Sequence, residues 1–378
     1  MRFLYGFVLK PIIFPFDPED MHNLFLGVGK FLGKFSLTRW KTRLWFGYSN
    51  KMLEQTVLGI NFKNPVGLAA GFDKNAELTQ IMPSVGFGFE EVGSVTGYPC
   101  EGNKRPRLWR LTQSRGYVVY YGLKNNGSEE ISERLKNKFR KDSPCEKFPI
   151  GVSVAMTNCE ENLDTSMAAA DYAKAFEAFA DIGSYTTVNI SCPNAQGGQP
   201  FTEPIKLDVL LSKLDAIETK KPIFVKMSPD KTIDEVDAIL DVLRRHRVHG
   251  IICSNLTKQK NNPKVLENNL PGVGGISGKP LQDLSDDLLS YIYRREVLTP
   301  QVTADGQARK FILIGCGGIF SAEDAYKKIR SGATLVQLIT GMIFEGPQLI
   351  SEINLGLVEL LRRDGFSNIS QAIGADYK

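Results

Sequence analysis

Four short segments of this 378-residue chain gather side chains that can do chemistry. Lys74 closes Ala69-Ala70-Gly71-Phe72-Asp73-Lys74, and Cys192 lies in Asn189-Ile190-Ser191-Cys192-Pro193-Asn194. Lys226 stands in Val225-Lys226-Met227-Ser228-Pro229, and Ser254 precedes Asn255. A lysine can meet a carboxylate as a point charge, asparagines offer both donor and acceptor, and a thiol can exchange a proton. Two glycine-rich turns join the set, Gly315-Cys316-Gly317-Gly318-Ile319 and Thr340-Gly341-Met342. Bare backbone there lets N–H groups approach a phosphate closely.

Other chemistries fit poorly. Cys100, Cys145, Cys159, Cys192, Cys253 and Cys316 form no C-x-x-C pair, so neither a zinc site nor a dense disulfide framework is indicated. There are three histidines, too few for metal chemistry or a convincing hydrolase triad, and His246 and His249 read as a solvated, basic helix end. Gly278-Lys279 resembles a P-loop, but Val273 stands where the first glycine belongs and Pro280 where Ser or Thr belongs. Gly315-Cys316-Gly317-Gly318 lacks the third glycine of a dinucleotide fingerprint.

The elements that must position these groups are short, apolar strands alternating with helices after residue 60. Strands are expected at Pro65–Ala70, Glu90–Val95, Ile150–Ala155, Thr186–Ile190, Ile223–Met227, Gly250–Ser254, Phe311–Gly315 and Leu335–Ile339. Helices are expected at Ala168–Asp181, Ile233–Arg245 and Ala322–Ser331. Eight near-continuously apolar strands in this rhythm predict an α/β fold, a TIM (β/α)8 barrel, with an open doubly wound sheet as the rival. The reactive groups then fall at C-terminal strand ends and the glycine turns follow strands seven and eight, where such barrels hold a phosphate. Gly97–Pro149 and Thr257–Pro300 interrupt the rhythm and should project as lids or accessory elements.

The head of the chain differs. Residues 1–60 hold 8 Lys plus Arg against 4 acids, leaving 38 against 38 in the rest, and the first 50 residues carry 12 of the 37 aromatics. A neutral body with a basic, aromatic head excludes a nucleic-acid partner and suits an anionic membrane surface. Phe3, Leu4, Phe7 and Val8 share a helical side that Pro11 should end; Asp17-Pro18-Glu19-Asp20 starts a second helix with Met21, Leu24, Phe25, Val28, Leu32 and Phe35 on one face. That face either packs on the core or dips into a lipid interface. No apolar run is long enough to span, and Pro11, Pro15 and Pro18 argue against a signal peptide.

Taken together the segments resemble the dihydroorotate dehydrogenases. The motifs are Phe16–His22, Phe62–Lys74, Arg105–Arg110, Asn189–Asn194, Val225–Pro229, Gly274–Leu281, Ile314–Ile319 and Gly332–Gly341, and the head resembles the membrane-associated, quinone-linked class. The resemblance implies an N-terminal membrane-associating head with a quinone tunnel, residues 1–50, on an FMN-binding barrel, residues 51–378. It implies oxidation of (S)-dihydroorotate to orotate, with electrons passed to a membrane quinone, in pyrimidine biosynthesis. The protein would be peripheral, on the cytoplasmic face of a bacterial inner membrane, with no nucleic acid and no metal. Ala70, Gly71, Lys74, Ser94, Lys226, Ser254, Gly278, Gly318, Ile339 and Thr340 would hold FMN, and Asn189 would touch flavin and substrate. Lys74, Asn194 and Asn255 would hold the substrate, Cys192 would be the base at C5, and His22 and Arg110 would line the quinone tunnel. Deleting residues 1–50 would then remove quinone reduction and spare the flavin half-reaction.

The chain departs from the family at several positions. Cys192 replaces the serine usual in the quinone-linked class, and because a thiol ionises more easily than an alcohol, the reaction is expected to extend to lower pH. The substrate loop, Asn-Arg-x-Gly-Phe-Asn in the family, reads Val119-Tyr120-Tyr121-Gly122-Leu123-Lys124. Leu256 stands for a threonine and Ser153 for an FMN-contacting asparagine. Three readings follow: dihydroorotate with substitute contacts from Lys124 or Tyr120, another carboxylate or cyclic amide on the same fold, or a flavoprotein of little turnover. An intact Lys74, Asn189, Cys192 and Lys226 argues against the last.

Overall fold

The computed structural model describes residues 2–138, 147–298 and 310–377; Cys145 and part of each predicted excursion lie outside the described residues. Eight parallel strands close a barrel: β1 (Val66–Leu68), β2 (Phe89–Val95), β3 (Ile150–Val154), β4 (Tyr185–Asn189), β5 (Ile223–Met227), β6 (Gly250–Cys253), β7 (Ile312–Cys316) and β8 (Leu335–Leu338). They run round the circle in chain order, and β8 pairs back onto β1. Each is covered by helices outside and side chains inside, which is why all five residues of β5 are buried and its sequence does not alternate. The open-sheet rival is thereby removed.

Layers of side chains fill the barrel. Phe89, Tyr185, Phe224 and Ile314 pack its N-terminal half, and a hairpin of Gln55–Val57 with Ile60–Phe62 adds Val57 and Phe62 to them. Above them Glu91 accepts hydrogen bonds from Thr187 Oγ1 at 3.0 Å, Gln337 Nε2 at 3.1 Å and Tyr185 Oη at 3.2 Å. The predicted helices form at Thr165–Ala178, Ile233–Leu243 and Ala322–Arg330. The second begins with a reciprocal cap in which Thr232 and Glu235 satisfy each other's backbone N–H.

The two excursions build one element between them. Leu108–Leu111 and Gly116–Val119 form a hairpin, and Gly275–Gly278 adds to it antiparallel, Gly275 opposite Val119. Helix α1 spans residues 2–13, α2 Pro18–Lys34 and α3 Ser36–Phe46. Asp17 caps α2 by accepting from the N–H groups of Glu19 at 2.9 Å and Asp20 at 3.0 Å. Pro11 does not end α1. The preceding turn, Tyr5–Leu9, is π-helical, and Pro11 enters the first turn of the next segment, where its missing N–H is not needed.

The apolar head faces are open. Phe3 and Phe7 on α1 are 71% and 73% exposed, Trp40 and Trp45 on α3 56% and 62%, and Lys34, Lys41 and Arg43 are exposed beside them. Leu32 packs on the core, whereas Leu24 and Phe35 of the predicted stripe are exposed, so own-core packing accounts for only part of it. Among the described residues no helix is long and apolar enough to cross a membrane. The basic helix end at His246 is not solvated as expected: its ring bonds Asp215 at 2.7 Å and Asp208 at 3.3 Å.

Candidate active site

A cavity of about 470 Å³ runs from between the head helices to the C-terminal ends of the barrel strands. The residues assigned above to FMN, substrate, base and quinone line it, as does Lys124, whereas Tyr120, the other expected substitute contact, and Ser153 are not among its lining residues. Its lining includes Lys74, Arg110, Lys124 and Lys226 but no aspartate or glutamate. A cleft with apolar walls and charges of one sign attracts ions of the other. The P-loop lookalike plays no such part, since Lys279 is paired with Asp324 at 2.8 Å.

A polar network crosses four strand ends. Ser153 on β3 and Ser94 on β2 share a hydrogen bond of 2.7 Å, and Asn189 at the end of β4 donates to Ser94 Oγ at 2.9 Å. Asn189 Oδ1 accepts from Ser191 and from Asn255 Nδ2, the latter at 3.2 Å. Asn255 also donates to the Ser191 carbonyl at 3.0 Å. Each amide is thus held in one orientation by its neighbours. Asn194 donates to the Val119 carbonyl at 2.9 Å, so the substrate loop is tied to it by backbone rather than by side chain. Its Oδ1 is buried with no hydrogen-bond partner among the described residues.

Burial sets the ionisation of the site. The Cys192 thiol is pushed up to about 11 by burial, against the pull of the Asn194 and Ala195 backbone N–H groups. The expected extension to lower pH is therefore corrected: desolvation offsets the intrinsic acidity of a thiol. Burial brings Lys74 down to about 8, with Glu19 acting in the opposite direction. His22 falls to about 2, first through burial and then through the nearby Lys74 charge.

At the head end, Arg110 donates to the Phe14 carbonyl and, through Nε, to Tyr117 Oη at 3.0 Å. Tyr5 Oη donates to the Ile343 carbonyl at 2.5 Å. Tyr5, Tyr117 and Tyr121 also line the cavity, and sequence reasoning gave them no role. An aromatic in a half-buried strand or helix reads as core, so nothing local distinguishes them.

The fold and this cavity have known counterparts. A family model described as dihydroorotate dehydrogenase matches residues 52–361. The chain belongs to the dihydroorotate dehydrogenase family. Proteins named dihydroorotate dehydrogenase (quinone) from Haloarcula marismortui and Gloeobacter violaceus are 39% and 36% identical to it. The first alignment covers 87% of both chains, the second 97% of this chain and 98% of the relative. A dihydroorotate dehydrogenase from Eimeria tenella, solved in complex with ferulenol, superposes with a TM-score of 0.82 at 27% identity, covering 96% of each chain. Membership makes the protein an FMN-dependent oxidoreductase.

The residues present fit FMN. Lys226 is 5% exposed at the end of β5, lines the cavity and forms no ion pair among the described residues, which suits an electron-rich ring edge. Gly71 has φ +112°, and a Cβ there would project into the cavity, the nearest heavy atom being Ile339 Cδ1 at 3.8 Å. Gly318 has φ +72°, and a Cβ would strike Gln282 at 2.4 Å, so the turn after β7 must be bare backbone.

Proposed function

We propose that the protein oxidises (S)-dihydroorotate to orotate with FMN and passes the electrons to a membrane quinone. The observation that carries this reading is one cavity, bordered by cations and no carboxylates, that joins a thiol and an amide network to the exposed apolar head. Ala70, Gly71, Ser94, Lys226, Ser254, Gly278, Gly318, Ile339 and Thr340 hold the cofactor, and bound FMN supplies the hydride acceptor and electron relay. Lys74 pairs with the substrate carboxylate; Asn189, Asn194 and Asn255 read its carbonyl and N–H edges. Cys192 Sγ takes the proton from C5, acidified by the adjacent carbonyl. Arg110 and His22 border the quinone tunnel. Residues 1–50 rest on an anionic membrane surface through their exposed aromatics and lysines, on the cytoplasmic face of a bacterial inner membrane.

Anaerobic mixing with dihydroorotate should bleach the flavin absorbance. No bleaching at millimolar substrate would remove dihydroorotate and favour another carboxylate, a reading that the apolar Val119 and Leu256 at the cavity wall support. Gly71→Val places two methyl groups where the cofactor is proposed and forces a β-branched residue to positive φ. The purified variant should carry less than about a tenth of the wild-type flavin per chain, read by absorbance, since a steric clash with a ligand is costly. Full flavin content would show that FMN lies elsewhere.

A further inference from the structure

We infer that His22 and Glu19, on the head helix α2, are positioning residues for the substrate-binding cation Lys74, so that the head is part of the dihydroorotate site as well as of the quinone tunnel. The inference rests on the proposed function above. Its basis is geometric. Lys74 Nζ lies 3.5 Å from His22 Nε2 and 4.0 Å from the centre of the Tyr121 ring. An ammonium has only protons to give, so Nε2 must accept, and the proton of the neutral ring sits on Nδ1. His22 also packs edge-on against Phe72, the ring centres 4.8 Å apart, two residues before Lys74. The imidazole thus meets both the lysine and a side chain two residues before it.

Glu19 is one helical turn before His22 and is 3% exposed. It holds Arg107 at 2.7 Å, Arg105 at 3.2 Å and Lys124 at 3.7 Å, three cations that would otherwise crowd the Lys74 end of the cavity. Lys124 comes from the altered substrate loop and lines the cavity. One carboxylate from the head therefore fixes that loop and lowers the repulsion felt by Lys74. Without α2, Lys74 would keep the Tyr121 face but lose its hydrogen-bond acceptor and the compensating charge. Deletion of residues 1–50 is accordingly expected to weaken the flavin half-reaction, contrary to the modular expectation from sequence.

The test is the anaerobic half-reaction of the full-length holoenzyme, in which no quinone takes part. His22→Leu should raise the dihydroorotate concentration for half-maximal reduction rate by about tenfold or more, as for a lost hydrogen bond to a charged group, while the limiting rate changes less than about threefold. His22→Gln, which keeps an acceptor, should restore most of the affinity. Glu19→Gln, which retains shape and loses charge, should weaken binding in the same direction. An unchanged half-reaction in His22→Leu, with slowed quinone reduction, would overturn the inference and leave His22 to the tunnel alone. Acetylation of Lys74 by acetic anhydride, followed by peptide mass spectrometry, reads its surroundings without substrate. If wild type is not reduced by dihydroorotate, the functional reading fails, and an altered Lys74 labelling rate in His22→Leu still supports the contact. Unaltered labelling refutes it.

Discussion

Replacing Cys192 by alanine is expected to slow flavin reduction by dihydroorotate about 10²- to 10⁴-fold, with FMN still bound. The thiol is at the cavity wall beside Asn194, and among the cavity-lining residues no carboxylate can take its place as proton acceptor. His22, the only imidazole among the lining residues, already meets Lys74 at 3.5 Å and packs on the Phe72 ring. The loss should therefore not be rescued from within the site. Stopped-flow bleaching of the flavin measures it directly, and flavin content of the purified variant separates loss of base from loss of cofactor. Unimpaired reduction would sink the assignment.

The same residue predicts a pH profile. Only the thiolate accepts the proton, and burial holds the thiol near 11. The limiting reduction rate should rise with pH from about 7 to about 10 without levelling, because each step toward the thiol's own value enlarges the reactive fraction. Cys192→Ser should be slower across that range, since an alcohol ionises with still more difficulty. A profile that levels near neutrality would mean that bound substrate lowers the thiol or that another group is the base.

The barrel was legible because its signal is local. Residues 223–225 and Gly250–Cys253 are uninterrupted apolar runs, and a strand buried on both faces needs nothing else to declare itself. The strand-end groups were legible for the same reason: Lys226 and Asn189 are polar residues at the ends of apolar strands. The sheet of Leu108–Leu111, Gly116–Val119 and Gly275–Gly278 was not, since Val119 pairs with Gly275 across more than 150 residues and neither segment alone carries a pairing partner. The hold of the head on the barrel was hidden likewise. Glu19 reads as an ordinary acid in the first turn of a helix, and its function depends on Arg107, 88 residues away. Burial, too, is a property of the whole fold, which is why a thiol expected to ionise readily is found raised instead.

Arg107→Ala is expected to destabilise the protein by about 3–5 kcal/mol, the cost of leaving a buried charge without its partner. Arg107 is 6% exposed and grips Glu19 with two hydrogen bonds, 2.7 and 3.0 Å, while its remaining amine donates to the Glu101 and Asn103 carbonyls at 2.8 and 2.7 Å. Arg105 and Lys124 stay near Glu19 but are half exposed, and neither replaces that fork. Burial alone would raise the Glu19 carboxyl; the Arg107 hydrogen bond and charge, then Arg105 and Lys124, bring it below the usual carboxylate range. A carboxylate lowered in the folded state contributes stability above its unfolded value, and that contribution is lost as pH falls through the folded one. In the variant burial wins, Glu19 prefers its proton, and the penalty of ionising it grows as pH rises. The difference in thermal stability between wild type and Arg107→Ala should therefore be widest near neutrality and shrink toward about pH 4, where a carboxyl in water is itself half protonated. Thermal unfolding at the two pH values decides it. In Glu19→Gln the same Arg107→Ala substitution should cost much less, because no charge remains to be stranded. A loss independent of pH and unchanged in the Glu19→Gln background would show that Arg107 serves only the loop carbonyls, and that the head docks on the barrel by its apolar contacts instead.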